Sequence, residues 1–361
     1  MKALVLAGAN IRHMPYLFFY FEQLSNLKYE ITLFYWDRDG LQDRPLPDDV
    51  KAISFRKKMK NDISKLAKIK YFLEYRKEAL KVIKSQQYDR IIVCDTQFAV
   101  LLSDILFKKY KKKYIFDYRD PSFERIGIYK KRVDSVILNS KATLISSKAY
   151  CDYLPKCEHI HTTHNILMGD LTKRNIRRLL PRETERIRLA FWGCIRDTEI
   201  NLSFIKRLAN DNRFELHYYG TIDKTAQSIV PYCEDLKINN VFIHGEYLPD
   251  QRYDFARSTD IIHNMQNAVD GGNPRMTNKF YDGIIFYLPQ ICTDGSFMGS
   301  ETVKYGVGIS LDPSISFADA LYYYYKNMDW GKFEEKCDKC LGEVFREFKR
   351  AQKAIYAALM L

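Results

Sequence analysis

The sequence lacks the features that would place it at once among membrane, secreted or dinucleotide-binding proteins. Its apolar runs fall far short of the roughly 18 residues of a transmembrane helix, so we expect none. Met1-Lys2 leads directly into a short apolar run ending at Gly8, without the parts of a secretory signal peptide, and we therefore expect a cytoplasmic location. Gly8 stands alone after the first predicted strand, where G-x-G-x-x-G would indicate a nicotinamide or flavin site.

Metal, redox and nucleic-acid motifs are scarce as well. Eight cysteines are scattered along the chain, which favours reduced thiols. Cys337 and Cys340 form a C-x-x-C pair, but they lie in a predicted helix without a nearby histidine, so we interpret the spacing as coincidence. We expect no metal, because no Asp-x-Asp pair is convincingly placed. No zinc-finger spacing, stacking motif or RNA-binding signature accompanies the basic residues, so nucleic acid is not an expected partner.

What the sequence has is length for two domains and an excess of positive charge. A chain of 361 residues favours two domains, and 46% hydrophobic residues allow sizeable cores. The net charge of +12 is clustered: residues 51–84 hold twelve Lys and Arg against three Asp and Glu, and five lysines follow at 108–113. Such patches attract phosphates or anionic lipid headgroups, although a solvated helix face explains them equally well.

The first half of the chain alternates strands and helices, which is typical of a parallel α/β sheet. Residues 60–86 are predicted to form one or two basic, amphipathic helices, which could lie on an anionic membrane surface or face the core with a solvated basic back. The predicted strands are 2–8, 30–36, 89–95, 113–117, 133–139, 142–146 and 159–165, and the predicted helices are 15–26, 60–86 and 97–109.

The alternation restarts after a polar, basic stretch. Predicted strands are 187–193, 213–219, 240–244, 259–264, 289–293 and 307–311, with helices at 200–211, 223–237, 249–257 and 333–358. We therefore predict an N-terminal Rossmann-like domain at 1–168, a linker at 169–186, a second such domain at 187–335, and a C-terminal helix at 336–361 that packs back on the first domain. Two such domains facing each other leave a cleft lined by strand ends.

Residues 271–294 contain the most informative pattern. A Gly-Gly-Asn-Pro loop leads to Thr277, which we predict to be the N-cap of a helix ended by Pro289. Asn278, Lys279 and Asp282 would share a polar stripe. A helix N-terminus suits a phosphate, and a carboxylate one turn later suits sugar hydroxyls. The alternative is an ordinary capped surface helix.

At this point the residues resemble a family. The run NKFYDGIIFYLPQI at 278–291 is similar to the nucleotide-sugar signature of GT-B-fold glycosyltransferases, in particular glycosyltransferase family 4, roughly K-hydrophobic-aromatic-E-x6-P-V-I. The second-domain start at 187–201, the segment 241–255 and the strands within 91–120 also resemble that family. The resemblance implies two Rossmann-like domains facing across a cleft, the GT-B architecture.

The resemblance also implies roles for residues of the second domain. Asp282 matches the second Glu of the family's Glu-x7-Glu pair and would bind the ribose, while Pro274 stands where the first Glu would be. Lys279 would contact the diphosphate or hold Asp282, and Arg196, just past Gly193, would neutralise the diphosphate. A second basic residue is replaced by Asn201. The remaining donor-site candidates are Gly220 at the end of a strand, Tyr247 in the nucleobase-like segment, and Thr277 and Asn278 at the helix start.

The first domain supplies the acceptor-side candidates. Asp120, just past the strand 113–117, is the candidate base or acceptor-positioning carboxylate, and the alternative is a salt bridge with Arg119. Arg119 itself, with Arg12 and His13 in the loop after the first strand, could contact the acceptor or a phosphate. His13 could equally be a loop-packing residue.

These features favour a glycosyltransferase of surface-polysaccharide assembly. It would take a sugar from a nucleotide-sugar, a substrate rather than a cofactor, and transfer it to a glycan or a lipid-diphosphate-linked glycan. The basic first domain would hold the enzyme as a peripheral protein on the inner face of a membrane. Two alternatives remain: a sugar-nucleotide epimerase or hydrolase of the same fold, and a non-catalytic scaffold.

Overall fold

The computed structural model describes residues 1–59, 65–166, 168–176, 186–267 and 273–360. These residues form two compact units. The N-terminal unit comprises Met1–His164 with Arg346–Leu361, and the C-terminal unit comprises Asn165–Phe345. Each is built around one parallel sheet with helices on both faces, so the predicted α/β class is confirmed.

The sheet of the N-terminal unit has, within the described residues, seven parallel strands in the order β3-β2-β1-β4-β5-β6-β7. Its strands are β1 Lys2–Ala7, β2 Glu30–Asp37, β3 Val50–Arg56, β4 Arg90–Cys94, β5 Tyr114–Tyr118, β6 Ala142–Ile145 and β7 Ile160–Thr162. The helices of this unit before the final one are α1 Leu17–Asn26, α2 Lys65–Ser85, α3 Thr96–Leu101, α4 Ser103–Lys109 and α5 Gly127–Asn139.

Both faces of this sheet are buried because its strands are apolar on both sides. Helices α2 to α5 cover one face, where Trp36, Tyr75 and Phe98 pack together. Helix α1 covers the other face with Leu17 and Phe21. Strand carboxyl ends therefore meet at one edge, between two helical layers.

The prediction for this unit is wrong in one element and lacks another. The stretch 133–139 is not a strand but the end of α5, because Val133, Val136 and Ile137 bury one face at helical spacing. Strand β3 was not predicted at all. It lies at the sheet edge with Lys51 and Arg56 exposed, so it lacks the apolar run that marks a central strand.

The sheet of the C-terminal unit has, over the described part of the chain, six parallel strands in the order β10-β9-β8-β11-β12-β13. They are β8 Ile187–Trp192, β9 Phe214–Tyr219, β10 Val241–Gly245, β11 Ile261–His263, β12 Gln290–Thr293 and β13 Gly308–Leu311. The helices are α6 Thr198–Leu208, α7 Ile229–Asp235, α8 Arg252–Ser258, α9 Asn278–Phe286, α10 Phe297–Tyr305, α11 Ala318–Lys326 and α12 Trp330–Leu359.

Helix α12 contributes to both units. Cys337 and Cys340 are buried in the core of the C-terminal unit, whereas Ala351 and Ile355 are buried in the core of the N-terminal unit. At its end, the carbonyl of Leu359 accepts a hydrogen bond of 2.5 Å from the Tyr29 hydroxyl. In the part of the chain that the structure describes, no helix combines the length and apolar character needed to cross a membrane.

Three adjacent strands of the C-terminal unit end in glycines with positive φ. Gly193, Gly220 and Gly245 have φ of +128°, +135° and +79° after β8, β9 and at the end of β10. The Gly220 N–H donates to the Gly245 carbonyl at 2.7 Å. A Cβ on Gly220 would lie 1.8 Å from the Gly193 carbonyl oxygen, so only glycine allows the two turns to approach this closely.

We expect Gly220→Ala to lower the free energy of unfolding by roughly 3 kcal/mol, because it combines a left-handed φ with a backbone clash. Urea denaturation would measure this loss. Gly342→Ala, in α12 with nothing within 4 Å of its added Cβ, is the matched control and should stabilise by about 0.5–1 kcal/mol. Equal stabilities of Gly220→Ala and wild type would contradict the close approach.

Candidate functional site

The start of α9 lies beside the glycine turn after β8, and a buried polar network holds it there. Thr277 occupies the predicted N-cap position, but its hydroxyl does not cap the helix. It donates instead to Asn264 Oδ1 at 2.7 Å, and Asn264 donates to Gln290 Oε1 at 3.0 Å. Gln290 in turn donates to the carbonyl of Phe280 at 3.1 Å. The helix N-terminus is thus tied to β11 and β12, and the Thr277 side chain does not cap its N–H groups. A helix N-terminus of this kind suits an anion.

Lys279 projects from the first turn of α9 towards the same glycine turn. Its Nζ lies 4.0 Å from the centroid of the Phe191 ring and about as far from the position of a Cβ on Gly193. Burial lowers the pKa of Lys279 to about 8, with the Asp282 carboxylate opposing the shift. Burial, assisted by the Lys279 cation, lowers the pKa of His263 to about 3. Lys279 is therefore the cation of this turn at neutral pH, and the neighbouring imidazole is neutral.

The spacing predicted a polar stripe shared by Asn278 and Asp282. In the structure, the Asp282 side chain instead faces the core. Its carboxyl accepts a hydrogen bond of 2.7 Å from the Trp192 indole, and its other oxygen lies 3.2 Å from Arg252 Nη1. Only 3% of the residue is exposed. Burial raises the pKa of Asp282 to about 6, against the opposing effect of Arg252.

Arg252 extends this contact into a network of three charges. Its Nη2 lies 2.5 Å from Asp170 Oδ1, which also accepts a hydrogen bond of 2.9 Å from the Tyr253 hydroxyl. Asp170 belongs to a single 3-10 turn, Met168–Lys173, within the predicted linker. Residues 177–185 of that linker lie outside the described residues. The network Asp170–Arg252–Asp282–Trp192 therefore joins four separate segments of the C-terminal unit.

The other donor-side candidates lie around these turns. Arg196 is exposed beyond Gly193, and its carbonyl accepts a hydrogen bond of 2.6 Å from Asn201. Asn201 is buried and also contacts His263 at 3.4 Å, so it holds the turn rather than reaching solvent. Tyr247 follows β10 and packs edge-on against Phe255 at 5.1 Å. The loop residues Gly271 and Gly272 lie outside the described residues.

In the N-terminal unit, the candidates Arg12 and His13 form a short 3-10 turn after β1. The Arg12 guanidinium pairs with Asp39, and the backbone N–H groups of Ile11 and Arg12 donate to Asp43 at 2.8 and 2.5 Å. Partial burial of the His13 ring, with the Arg12 cation beside it, lowers the pKa of His13. The turn is thus tied to the loop after β2.

Arg119 and Asp120 follow β5 and differ sharply in surroundings. Arg119 is buried and forms a two-point ion pair with Asp117, with Nε–Oδ1 at 2.6 Å and Nη2–Oδ2 at 3.0 Å. Its guanidinium also stacks on the Tyr16 ring, 4.1 Å from the centroid. Asp120 is exposed, and its carbonyl accepts a hydrogen bond from Thr96 at 3.1 Å. The charge of Arg119 is therefore largely neutralised by Asp117.

The structure adds Asp95, which we did not single out from the sequence. It follows β4 with φ of +94°, a conformation that non-glycine residues rarely adopt, and its carboxylate accepts from the Gln97 N–H at 2.9 Å. Burial raises the pKa of Asp95 to about 6, although the Gln97 N–H and the Arg38 cation oppose the shift. The sequence signal was only that this aspartate ends a buried strand.

Metal ligands do not assemble in the described ranges: no group of three or more His, Cys, Asp or Glu side chains there could hold a metal ion. Cys337 and Cys340 are buried thiols of α12 and form no disulfide. In the C-terminal unit, the described residues offer two cations, Lys279 and Arg196, and a helix N-terminus, which are groups that suit an anion. In the N-terminal unit, taken by itself, they offer carboxylates, which are groups that can exchange a proton.

Three solved structures resemble the chain over nearly its whole length. Sucrose-phosphate synthase from Thermosynechococcus elongatus gives a TM-score of 0.73 at 11% identity, over 98% of this chain and 97% of that one. HepE from Anabaena in complex with UDP and glucose gives 0.64 at 12% identity, over 100% of both chains. The lipopolysaccharide outer core galactosyltransferase WaaB gives 0.62 at 14% identity, over 99% of both. By sequence, neither a family model nor a curated protein matches.

At such low identities the likeness concerns the fold. The two parallel sheets and the full-length superpositions show that the chain has the GT-B fold with two Rossmann-like domains. The fold predicted from the 278–291 resemblance is confirmed.

We expect Arg252→Met to lower the free energy of unfolding by about 3–5 kcal/mol, because it leaves the buried carboxylates Asp170 and Asp282 without their cationic partner. Chemical denaturation at pH 7 would measure the loss, which should shrink near pH 5 as Asp282, whose pKa is already raised to about 6, takes up a proton. Arg257→Met, on the exposed side of the same helix, is the control and should stay within about 0.5 kcal/mol of wild type. A loss that does not depend on pH would argue against the ionic network.

Proposed function

We propose that this protein is a glycosyltransferase that takes its sugar from a nucleotide-sugar donor. The observation that carries the proposal is the placement of Lys279, at the start of α9 and beside the glycine turn after β8, within a GT-B fold. Solved structures with this fold include complexes with UDP-glucose and with UDP-2-fluoro glucose, which supports uridine nucleotides as the first donors to test.

The proposed chemistry is displacement of a nucleoside diphosphate from the anomeric carbon by an acceptor hydroxyl. The leaving diphosphate gains negative charge as the bond breaks. The N–H groups of the α9 N-terminus, the Lys279 ammonium and the Arg196 guanidinium would stabilise this charge, as preorganised dipoles and cations do in enzymes. A metal ion is not needed for this step in our proposal.

The acceptor proton would pass to a carboxylate of the N-terminal unit. Asp120 remains our candidate from sequence, and the structure supports Asp95 as a second one. A carboxylate with a pKa of about 6 is a better base near neutral pH than one with an ordinary pKa, which favours Asp95.

The acceptor we propose is a glycan or a lipid-diphosphate-linked glycan of surface-polysaccharide synthesis, at the inner face of a membrane. The basic stretch around α2 supports it, since seven Lys and Arg stand against two acidic residues in Lys65–Ser85. The similarity to a lipopolysaccharide galactosyltransferase points the same way.

Titration of the protein with UDP and with UDP-, GDP- and dTDP-sugars tests the proposal. Binding followed by transfer to an added acceptor is the expected result. Turnover without an acceptor would favour the epimerase or hydrolase alternative. Absence of binding to every nucleotide would leave only the scaffold alternative.

We expect UDP binding to weaken by about tenfold between pH 7 and pH 9, because Lys279 with a pKa of about 8 loses its charge in this range. The phosphates of UDP are already ionised there, so they do not contribute to the change. Calorimetric titration would measure it. Lys279→Met should bind about 10- to 100-fold more weakly and without this pH dependence, whereas Lys304→Met on α10 should behave as wild type. If UDP binding by Lys279→Met kept the pH dependence of the wild type, Lys279 would not be part of the UDP site.

We expect replacement of the base to lower the turnover number by about 10²- to 10⁴-fold while UDP affinity stays unchanged. Asp95→Asn and Asp120→Asn, compared by steady-state kinetics with a competent donor, would show which carboxylate takes the proton. Asp134→Asn, on the outer part of α5, serves as the control. If both variants of the candidate bases kept full turnover, the proton acceptor would have to lie elsewhere.

A further inference from the structure

Residues 121–128, which we call the loop 121–128, join β5 to α5 and include the first two residues of that helix. Three of their apolar side chains are exposed: Phe123 at 48%, Ile126 at 55% and Ile128 at 80%. Single exposed apolar residues are ordinary on a protein surface, but three so close in the chain form an unfavourable contact with water. Phe123 packs edge-on against Tyr129 at 5.6 Å, which supports the loop from beneath.

Helix α2 adds two further exposed apolar side chains near the same edge of the sheet. Ile69 and Leu73 are 52% and 56% exposed and lie four residues apart, on one side of the helix. Two residues after Leu73, on the buried side of the helix, the Tyr75 hydroxyl donates to the carbonyl of Ala7 at 3.2 Å, at the carboxyl end of β1. The loop at 121–128 follows the carboxyl end of β5 directly, so both segments lie at this edge.

Helix α3 lies between the two segments and contacts both. Gln97 Nε2 lies 3.5 Å from Ser122 Oγ in the loop, and Arg76 of α2 donates to the carbonyl of Leu101 at 2.9 Å. The loop and α2 therefore flank one helix on the same covered face of the N-terminal sheet.

Positive charge surrounds these apolar residues. Residues 121–132 carry four Lys and Arg against one Glu, and Lys65–Ser85 carries seven against two. The acidic residues are engaged locally: Glu74 pairs with Lys57, Glu78 pairs with Lys81, and Glu124 accepts from the Tyr118 hydroxyl. The surface therefore presents apolar side chains within a net positive field.

We propose that this surface, formed by the loop 121–128 and the exposed side of α2, docks on an anionic lipid bilayer, with Phe123, Ile126 and Ile128 inserted among the headgroups. The inference rests on the proposed function for its biological setting, but not for its physical basis. Lysine is depleted at protein–protein interfaces, and binding of nucleic acid would call for aromatic stacking platforms rather than isoleucines. Apolar side chains within a ring of Lys and Arg match the boundary between headgroups and acyl chains.

Insertion predicts a salt response different from that of adsorption by charge alone. Lysine contacts with headgroups weaken as salt shortens the Debye length, whereas the burial of Phe123, Ile126 and Ile128 does not. Part of the binding should therefore persist at high salt, and that part should depend on the loop.

Cosedimentation of the full chain with vesicles tests the proposal. The vesicles are phosphatidylcholine alone, or with about a third phosphatidylglycerol, in roughly 0.1 M and 0.5 M NaCl. Phe123→Ser/Ile126→Ser/Ile128→Ser should weaken binding to the anionic vesicles at least about tenfold and abolish the part that resists salt. Leu236→Ser/Leu248→Ser/Ile315→Ser, which removes three equally exposed apolar residues of the other unit, should bind as wild type.

The charged residues are tested in the same way. Lys70→Gln/Lys77→Gln/Lys81→Gln should weaken binding chiefly at low salt, and Lys224→Gln/Lys237→Gln/Lys353→Gln, also exposed, is the control. Equal binding by the loop variant and its control would overturn the proposal, as would equal binding to neutral vesicles. Binding to RNA without binding to vesicles would overturn it too.

Titration with UDP separates this proposal from the proposed function. Loop variants that lose vesicle binding should bind UDP as wild type does, because the loop belongs to the other unit. Vesicle binding without UDP binding would support the docking surface and contradict the proposed enzymatic function.

Discussion

Asp282 is buried between an indole N–H and a guanidinium, and the arrangement of the C-terminal site depends on this contact. An ionised carboxylate without partners is costly inside a protein, so Trp192 and Arg252 must reach it when the unit folds. Trp192 directly precedes Gly193, and Lys279 lies one turn before Asp282. The same contact therefore sets the distance between the glycine turn and the Lys279 ammonium.

This geometry bears on the role that the family resemblance implies for Asp282. A ribose contact would need an accessible carboxylate, but Asp282 is 3% exposed and both of its oxygens have partners within the protein. In our interpretation Asp282 acts by holding Trp192 and the turn after it in place. The anion site that we propose would then consist of the Lys279 ammonium beside the glycine turn, the Arg196 guanidinium and the α9 N-terminus.

The sequence was sufficient for the fold because its strongest signals are local and repeated. Apolar strands ending at Gly193 and Gly220, each followed by a helix, predict a parallel sheet without further information. Edge strand β3 was not predicted because about half of its side chains face water. Helix α5 was predicted as a strand in part, because the apolar run Val136-Ile137-Leu138 fits the spacing of a helix and that of a strand. The partners of Asp282 could not be predicted, since Trp192 and Arg252 are separated from it by long stretches of chain and meet it only through tertiary packing.

The charges of the N-terminal unit bear on the acceptor that we propose. At the carboxyl edge of the sheet, Arg119 is paired with Asp117, and Asp95 and Asp120 are among the acidic residues there. The excess of lysine and arginine lies beside them, on α2 and on residues 121–132. In our proposal, the basic surface would hold the diphosphate of a lipid-linked acceptor, while its sugar hydroxyl reaches a carboxylate. An acceptor that carries both an anionic group and a free hydroxyl suits this arrangement better than a neutral sugar does.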